Sequence, residues 1–173
     1  MLFRFAPIAL LLLSPLAACS RSGPAADFPT GAGLITGLRV TERETSDPTW
    51  SLESRTARLD EKSGILNFAS PRITFFEAGA TTSVITSGEG ELDMDTQDAR
   101  LEKGVRVDSR SEGMTLVTET LRFSSAENKI LTDDEVFITR GRTRIKGRGF
   151  RANPDLSRIE LKQQETTLLP EGG

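Results

Sequence analysis

The sequence predicts an all-β protein: a twisted two-sheet antiparallel β-jellyroll, an open sandwich built from repeated units of about 29 residues. Three observations predict it. Leu92, Leu121 and Phe150 stand 29 residues apart (121 − 92 and 150 − 121), and each opens a similar segment. From Leu38 onward apolar and polar residues alternate with a period of two, the pattern of strands with one buried face. No stretch of ten or more residues keeps a helical 3.6-residue period. A repeat of roughly 20–50 residues marks a stack in which no single unit can bury its apolar face alone.

Each unit carries further detail. Met94, Phe123 and Ala152 follow the three starts by two residues, and Leu101, Ile130 and Ile159 by nine. Ser87, Leu116 and Ile145 precede them by five. A looser copy begins at Ala57, with Leu52 before it and Leu59 and Leu66 after it. A spacing of five puts Leu116 and Leu121, or Ile145 and Phe150, on opposite faces of a regular strand. To turn both inward the chain must bend between them, at Thr118-Glu119-Thr120 and at Gly147-Arg148-Gly149. Strands then cross between two sheets.

The elements follow in chain order. Residues 1–18 read as a signal peptide: Arg4 supplies positive charge, Phe5 to Leu16 an apolar run too short to span a bilayer comfortably, and Ala17 and Ala18 a small-residue site. Leu16-Ala17-Ala18-Cys19 resembles a bacterial lipobox, on which reading Cys19 receives lipid and becomes the mature N-terminus; an ordinary secretory signal and an uncleaved anchor are the alternatives. Residues 19–35, rich in Ser, Gly, Pro and Ala, read as the lipidated N-terminus and a flexible linker. Strand alternation fills 36–165, with Leu38–Val40 and Ile159–Leu161 in the terminal strands. Turn chemistry at Ser46-Asp47-Pro48, Glu77-Ala78-Gly79 and Asn153-Pro154-Asp155 separates the runs. Residues 166–173 read as a disordered tail.

Composition excludes several functions. The net charge of −3 disfavours nucleic acid. Histidine is absent, which removes the commonest general base and transition-metal ligand. One cysteine excludes a disulfide framework and a Cys-rich zinc site. Asp93 with Asp95, and Asp133-Asp134-Glu135, lack the ligand number and internal glycine of a calcium loop. No nucleophile elbow, phosphate loop or metalloprotease helix is present. The expectation is a non-enzyme with no cofactor and no metal.

Two rows of residues are candidates for binding. The inward apolar row comprises Trp50, Leu52, Leu59, Phe68, Ile73, Phe75, Leu92, Met94, Val105, Val107, Leu116, Leu121, Phe123, Val136, Ile138, Ile145, Phe150 and Ile159. It reads either as a closed core or as a groove that takes acyl chains, where each methylene removed from water gains about 0.8 kcal/mol. Arg140, Arg142, Arg144, Lys146 and Arg148 occupy every second position, so on one extended strand all five face one side. That row suits an anionic contact, or a solvated face that discourages edge pairing.

The arrangement resembles the LptC family, the periplasmic component of lipopolysaccharide export, within the OstA-like jellyroll group. Trp50-Ser51-Leu52-Glu53-Ser54 with Ala57 resembles the family's W-x-L-x-A-x-x-A stretch, with Ser54 where Ala is common. Ser87 to Asp93 and Leu101 to Val107 resemble its T-x-x-G-x-x-D-like and L-x-G-x-V-x-V segments, Leu116 to Phe123 and Ile145 to Phe150 its L-x-T-x-x-L-x-Y and I-x-G-x-G-F/L signatures. The resemblance implies the groove reading: a lipid-anchored link of the lipopolysaccharide transport bridge, taking acyl chains from the inner-membrane ABC transporter to the next, LptA-like soluble jellyroll. A structural envelope lipoprotein with a closed sandwich and no lipid cargo is the alternative. The best-known members carry an N-terminal transmembrane helix; on the lipobox reading this chain departs from them by using a lipid anchor instead. The family implies the inner membrane, whereas Ser20 after Cys19 points to the outer one by the enteric sorting convention.

Overall fold

The computed structural model describes residues 33–44 and 47–168, so the signal segment and Cys19 lie outside the described residues. Fourteen strands run through them: β1 (Leu34–Glu44), β2 (Asp47–Asp60), β3 (Ile65–Ala69), β4 (Arg72–Glu77), β5 (Ala80–Thr86), β6 (Glu89–Asp93), β7 (Ala99–Glu102), β8 (Val105–Ser109), β9 (Met114–Thr118), β10 (Leu121–Ser124), β11 (Lys129–Thr132), β12 (Val136–Arg140), β13 (Thr143–Ala152) and β14 (Ile159–Leu168). β1 begins at Leu34 and β14 continues to Leu168, so the strands reach past both ends of the predicted 36–165 body. Thr166, Thr167 and Leu168 pair with Ile145, Arg144 and Thr143 rather than fraying.

The two longest inner strands explain the jellyroll. In β2, Trp50 to Glu53 pair with β4 while Thr56 to Asp60 pair with β3. In β13, Thr143 to Gly147 pair with β12 while Phe150 to Ala152 pair with β11. Each therefore belongs to two half-sheets. One half holds β3, β6, β7, β10 and β11; the other holds β4, β5, β8, β9 and β12. β1 lies along β2 from Asp47 to Arg58, and β14 along all of β13. From β1 to β14 the stack rises by eight strand spacings, about 38 Å at about 4.8 Å each.

Where the chain passes from the half that holds β4 into the half that holds β3, it bends and the inward face resets. Leu116 and Thr118 point inward on β9; after Glu119 and Thr120, Leu121 and Phe123 point inward on β10. In β13 the reset falls at Gly149, whose φ of +66° a side chain adopts only with strain. These are the two bends the odd spacing predicts. The corners are stitched by side-chain oxygens: Ser54 Oγ donates to Thr56 O and Ala69 O, both at 2.8 Å. Thr118 Oγ1 donates to Glu135 O at 3.0 Å, and Thr120 N and Oγ1 donate to Asp134 Oδ2 at 3.1 and 2.6 Å. The 29-residue repeat is now physical: each period holds four strands, a hairpin of the first half-sheet and two strands of the second.

Two predicted placements are corrected. Met94 is not in the inward row but 45% exposed. β6 ends at Asp93, whose Oδ1 accepts from Asp95 N at 2.9 Å and Thr96 N at 3.0 Å, so the turn takes Met94 off the pleat. The five basic residues do not share a strand. Arg140 closes β12 and Arg142 lies in the turn after Gly141, leaving Arg144, Lys146 and Arg148 together on the outer face of β13. Lys146 pairs with Glu135 at 3.0 Å and lies over the Phe137 ring at 5.7 Å, and Arg140 reaches Glu112 at 3.6 Å.

Candidate lipid-binding cleft

Away from the corners the half-sheets end in hairpin turns, and the seam between these ends is open. A cleft of about 700 Å³ lies there, within the usual size of small-molecule sites. Its floor is aromatic. Phe75 comes from the end of β4 in one half, Phe123 from β10 in the other, and their rings meet edge to face at 5.3 Å and 65°. Trp50 stands directly opposite Phe75 in the β2–β4 register. All three are buried, and the Trp50 Nε1 donor is buried without a hydrogen-bond partner. The rim is polar, with Glu42, Arg43, Glu77, Glu127, Lys129 and Asp155. Glu127 is held by Arg151 at 2.7 Å.

Below the floor the interior is filled. Trp50, Leu52, Phe75 and Phe123 help line a residual void of about 10 Å³, barely the room of one water. Every residue of the predicted inward row except Met94 is buried or packed half-buried on the core; the half-buried members are Leu59, Ile145 and Ile159. The structure brings Trp50, Phe75 and Phe123 together at the cleft and leaves Phe68, Val105, Val107, Leu116, Leu121, Val136, Ile138 and Phe150 deep in the core. The three basic residues of β13 face away from the seam.

The sequence reading missed the 153–158 connection between β13 and β14. Read as a turn, it also closes part of the seam, and Leu156 within it is among the most buried side chains. An apolar residue inside a polar turn was the available signal. The shifted carboxylates do other work. In Asp93 the backbone N–H groups of Thr96 and Asp95 lower the pKa, and in Asp60 those of Lys62 and the Ser63 hydroxyl do so. For Asp108 burial raises the pKa, but hydrogen bonds from Arg106 and Thr115 outweigh it and leave a net lowering. Asp93 and Asp60 shape turns, Asp108 anchors a surface pair, and none lines the cleft.

Comparison with known proteins adds the decisive observation. The family model described as "LptC: Lipopolysaccharide-assembly, LptC-related" matches residues 35–169, essentially the whole β stack. The chain belongs to the LptC family. No curated protein matches it at the sequence level. Its fold is similar to that of LptH, described as the LptA homologous periplasmic component of the conserved lipopolysaccharide transport device from Pseudomonas aeruginosa. The TM-score is 0.56 at 10% identity, over 70% of this chain and 95% of LptH. The LptC-family jellyroll thus ends, among the described residues, in two strands that pair on one side only. β1 carries exposed Leu34 and Ile35, and β14 closes the other end.

Proposed function

We propose that this protein is a membrane-anchored periplasmic link in lipopolysaccharide transport, which takes acyl chains at the seam between its half-sheets and passes them on without catalysis. Membership of a lipopolysaccharide-assembly family supports the transport role. The observation that carries the acyl site is the aromatic floor of Trp50, Phe75 and Phe123 at an open seam, continuous with an apolar interior. Acyl chains would lie against this floor while sugars and phosphates stay at the polar rim. A small aromatic floor beneath a mostly polar rim suits transit, because weak, area-based attraction releases as readily as it binds. The one-sided strands β1 and β14 suit addition of neighbouring jellyrolls at each end. The inner-membrane ABC transporter would sit at the first and a soluble LptA-like protein at the second. Lipid on Cys19 would hold the link to the inner membrane.

The filled interior favours a second reading, a packed adaptor that acts through its surface and carries no lipid. Photocrosslinking in living cells separates the two. A probe at Phe123, in the cleft floor, should yield lipopolysaccharide adducts, and a probe at the exposed neighbour Arg122 should not. Absence of adducts at both positions, in cells that depend on the protein, would leave the adaptor standing.

A further inference from the structure

We propose that the 153–158 connection is a latch, and that its Leu156 side chain fills the socket taken by an acyl segment when the sandwich is loaded. The inference rests on the acyl-binding reading above.

A β13–β14 hairpin needs only to turn within the first half-sheet. This connection instead reaches the second half. Ser83 Oγ of β5 donates to Pro154 O at 2.7 Å, and Ser109 Oγ of β8 donates to Asp155 O at 2.5 Å. The two serines face each other in the β5–β8 register and are both buried. Lys129 Nζ from the first half donates to Asn153 Oδ1. The loop is thus pinned across the seam from both sides.

Inside the loop, hydrogen bonds keep a fixed shape. Leu156 N donates to Asn153 O at 2.9 Å, Asn153 N to Arg158 O at 3.1 Å, and Ser157 N to Asp155 Oδ1 at 3.0 Å. A unit so braced can swing as a body, because opening breaks its pins and not its internal bonds. Leu156 also holds a φ of +64°, a conformation that costs a non-glycine residue energy and persists only where surroundings enforce it.

Leu156 differs from the rest of the deep core. Among the described residues, it is the one side chain of the most buried set that is not on a strand. The others are held by backbone ladders. The void beneath Trp50 and Phe123 holds only about 10 Å³, so an acyl chain enters there only if a filler leaves, and Leu156 is the filler that no strand ladder holds. Pro154 and Asp155 already form one wall of the 700 Å³ cleft, so swinging the loop out extends that cleft inward.

Trp50, the single tryptophan, shares the cleft wall with Pro154 and Asp155 and reports on occupancy. The probe is dibrominated stearate, whose bromines quench a touching indole. It is titrated into the full-length protein and two variants. Ser83→Ala/Ser109→Ala removes the pins. Leu156→Gly empties the socket and suits the positive φ. Apparent affinity scales with the fraction of molecules whose site is open, so both variants should bind about tenfold more tightly than the native protein. Equal or weaker binding in the variants, with Trp50 quenched in all three, overturns the latch and leaves the acyl site intact. No quenching in any of them removes the acyl site and the latch with it. Because Ser109 Oγ also accepts from Glu112 N at 3.1 Å, Ser83→Ala alone is the milder variant should the double one not fold.

Discussion

Gly90 on β6 should be the least replaceable glycine of the stack, and Gly90→Ala tests how tightly the interior is filled. Phe68 on β3 lies directly across from it, and Leu101 on β7 faces it from the other side. A Cβ at position 90 would stand 2.4 Å from Phe68 Cε2, 2.7 Å from Leu101 Cδ2 and 2.8 Å from Arg100 O. Carbon atoms pack at about 3.5–4.0 Å, so the Phe68 ring would have to retreat by more than an ångström. It is 1% exposed within the packed core, and the Arg100 carbonyl is backbone in the ladder. Overpacking a filled core costs about 1–3 kcal/mol. Two close side-chain contacts and one backbone contact put this site at the top of that range, about 3 kcal/mol. Replacing glycine recovers about 0.4–1 kcal/mol from the unfolded chain, for a net loss of about 2 kcal/mol. Urea unfolding followed by Trp50 fluorescence measures it, with the slope checked for constancy. Adding Phe68→Leu should restore part of the loss, so the double variant is less destabilised than the sum of the single ones. A Gly90→Ala loss below about 0.5 kcal/mol, or strict additivity with Phe68→Leu, would refute the filled interior and favour a looser lumen.

Three further outcomes are expected. Phe123→Ala should cost about 3–4 kcal/mol in the same urea assay, because it removes the edge-to-face contact with Phe75 and joins the void below to the cleft. Ser54→Ala should cost about 1–2 kcal/mol, since Thr56 O and Ala69 O lose their shared donor at a buried corner; a neutral result would mean that water replaces it. Asp108→Asn removes the partner of Arg106, which donates from Nε at 2.9 Å and Nη2 at 2.7 Å. The folded pKa of Asp108 lies below its ordinary value of 3.8, so its ionised form stabilises the fold above that value, and the contribution fades as pH falls through the folded pKa. The pair is half exposed, so the neutral-pH loss should stay under about 1 kcal/mol and vanish in acid. A gap between native and variant that widens on acidification would contradict this.

Much of the molecule is legible in the sequence because the rules involved are local. Alternation assigns faces residue by residue, and so it placed Trp50, Phe75 and Phe123 inward without knowledge of their neighbours. The five-residue spacing revealed the bends, since only a bend lets Leu116 and Leu121 face the same core. The same local rule failed at Met94 and along the basic row, because a strand end is decided by turn hydrogen bonds and a period of two continues on paper past the end. By itself the sequence determined the all-β stack, its repeat and its two bends, since each follows from side-chain period and backbone geometry over a few residues. The tertiary structure alone decided that the interior is filled, where the seam stays open, and that the 153–158 connection with Leu156 closes another part of it. Those outcomes depend on Ser83 meeting Pro154 across 71 positions and Ser109 meeting Asp155 across 46, contacts set by how the half-sheets close and by no local pattern.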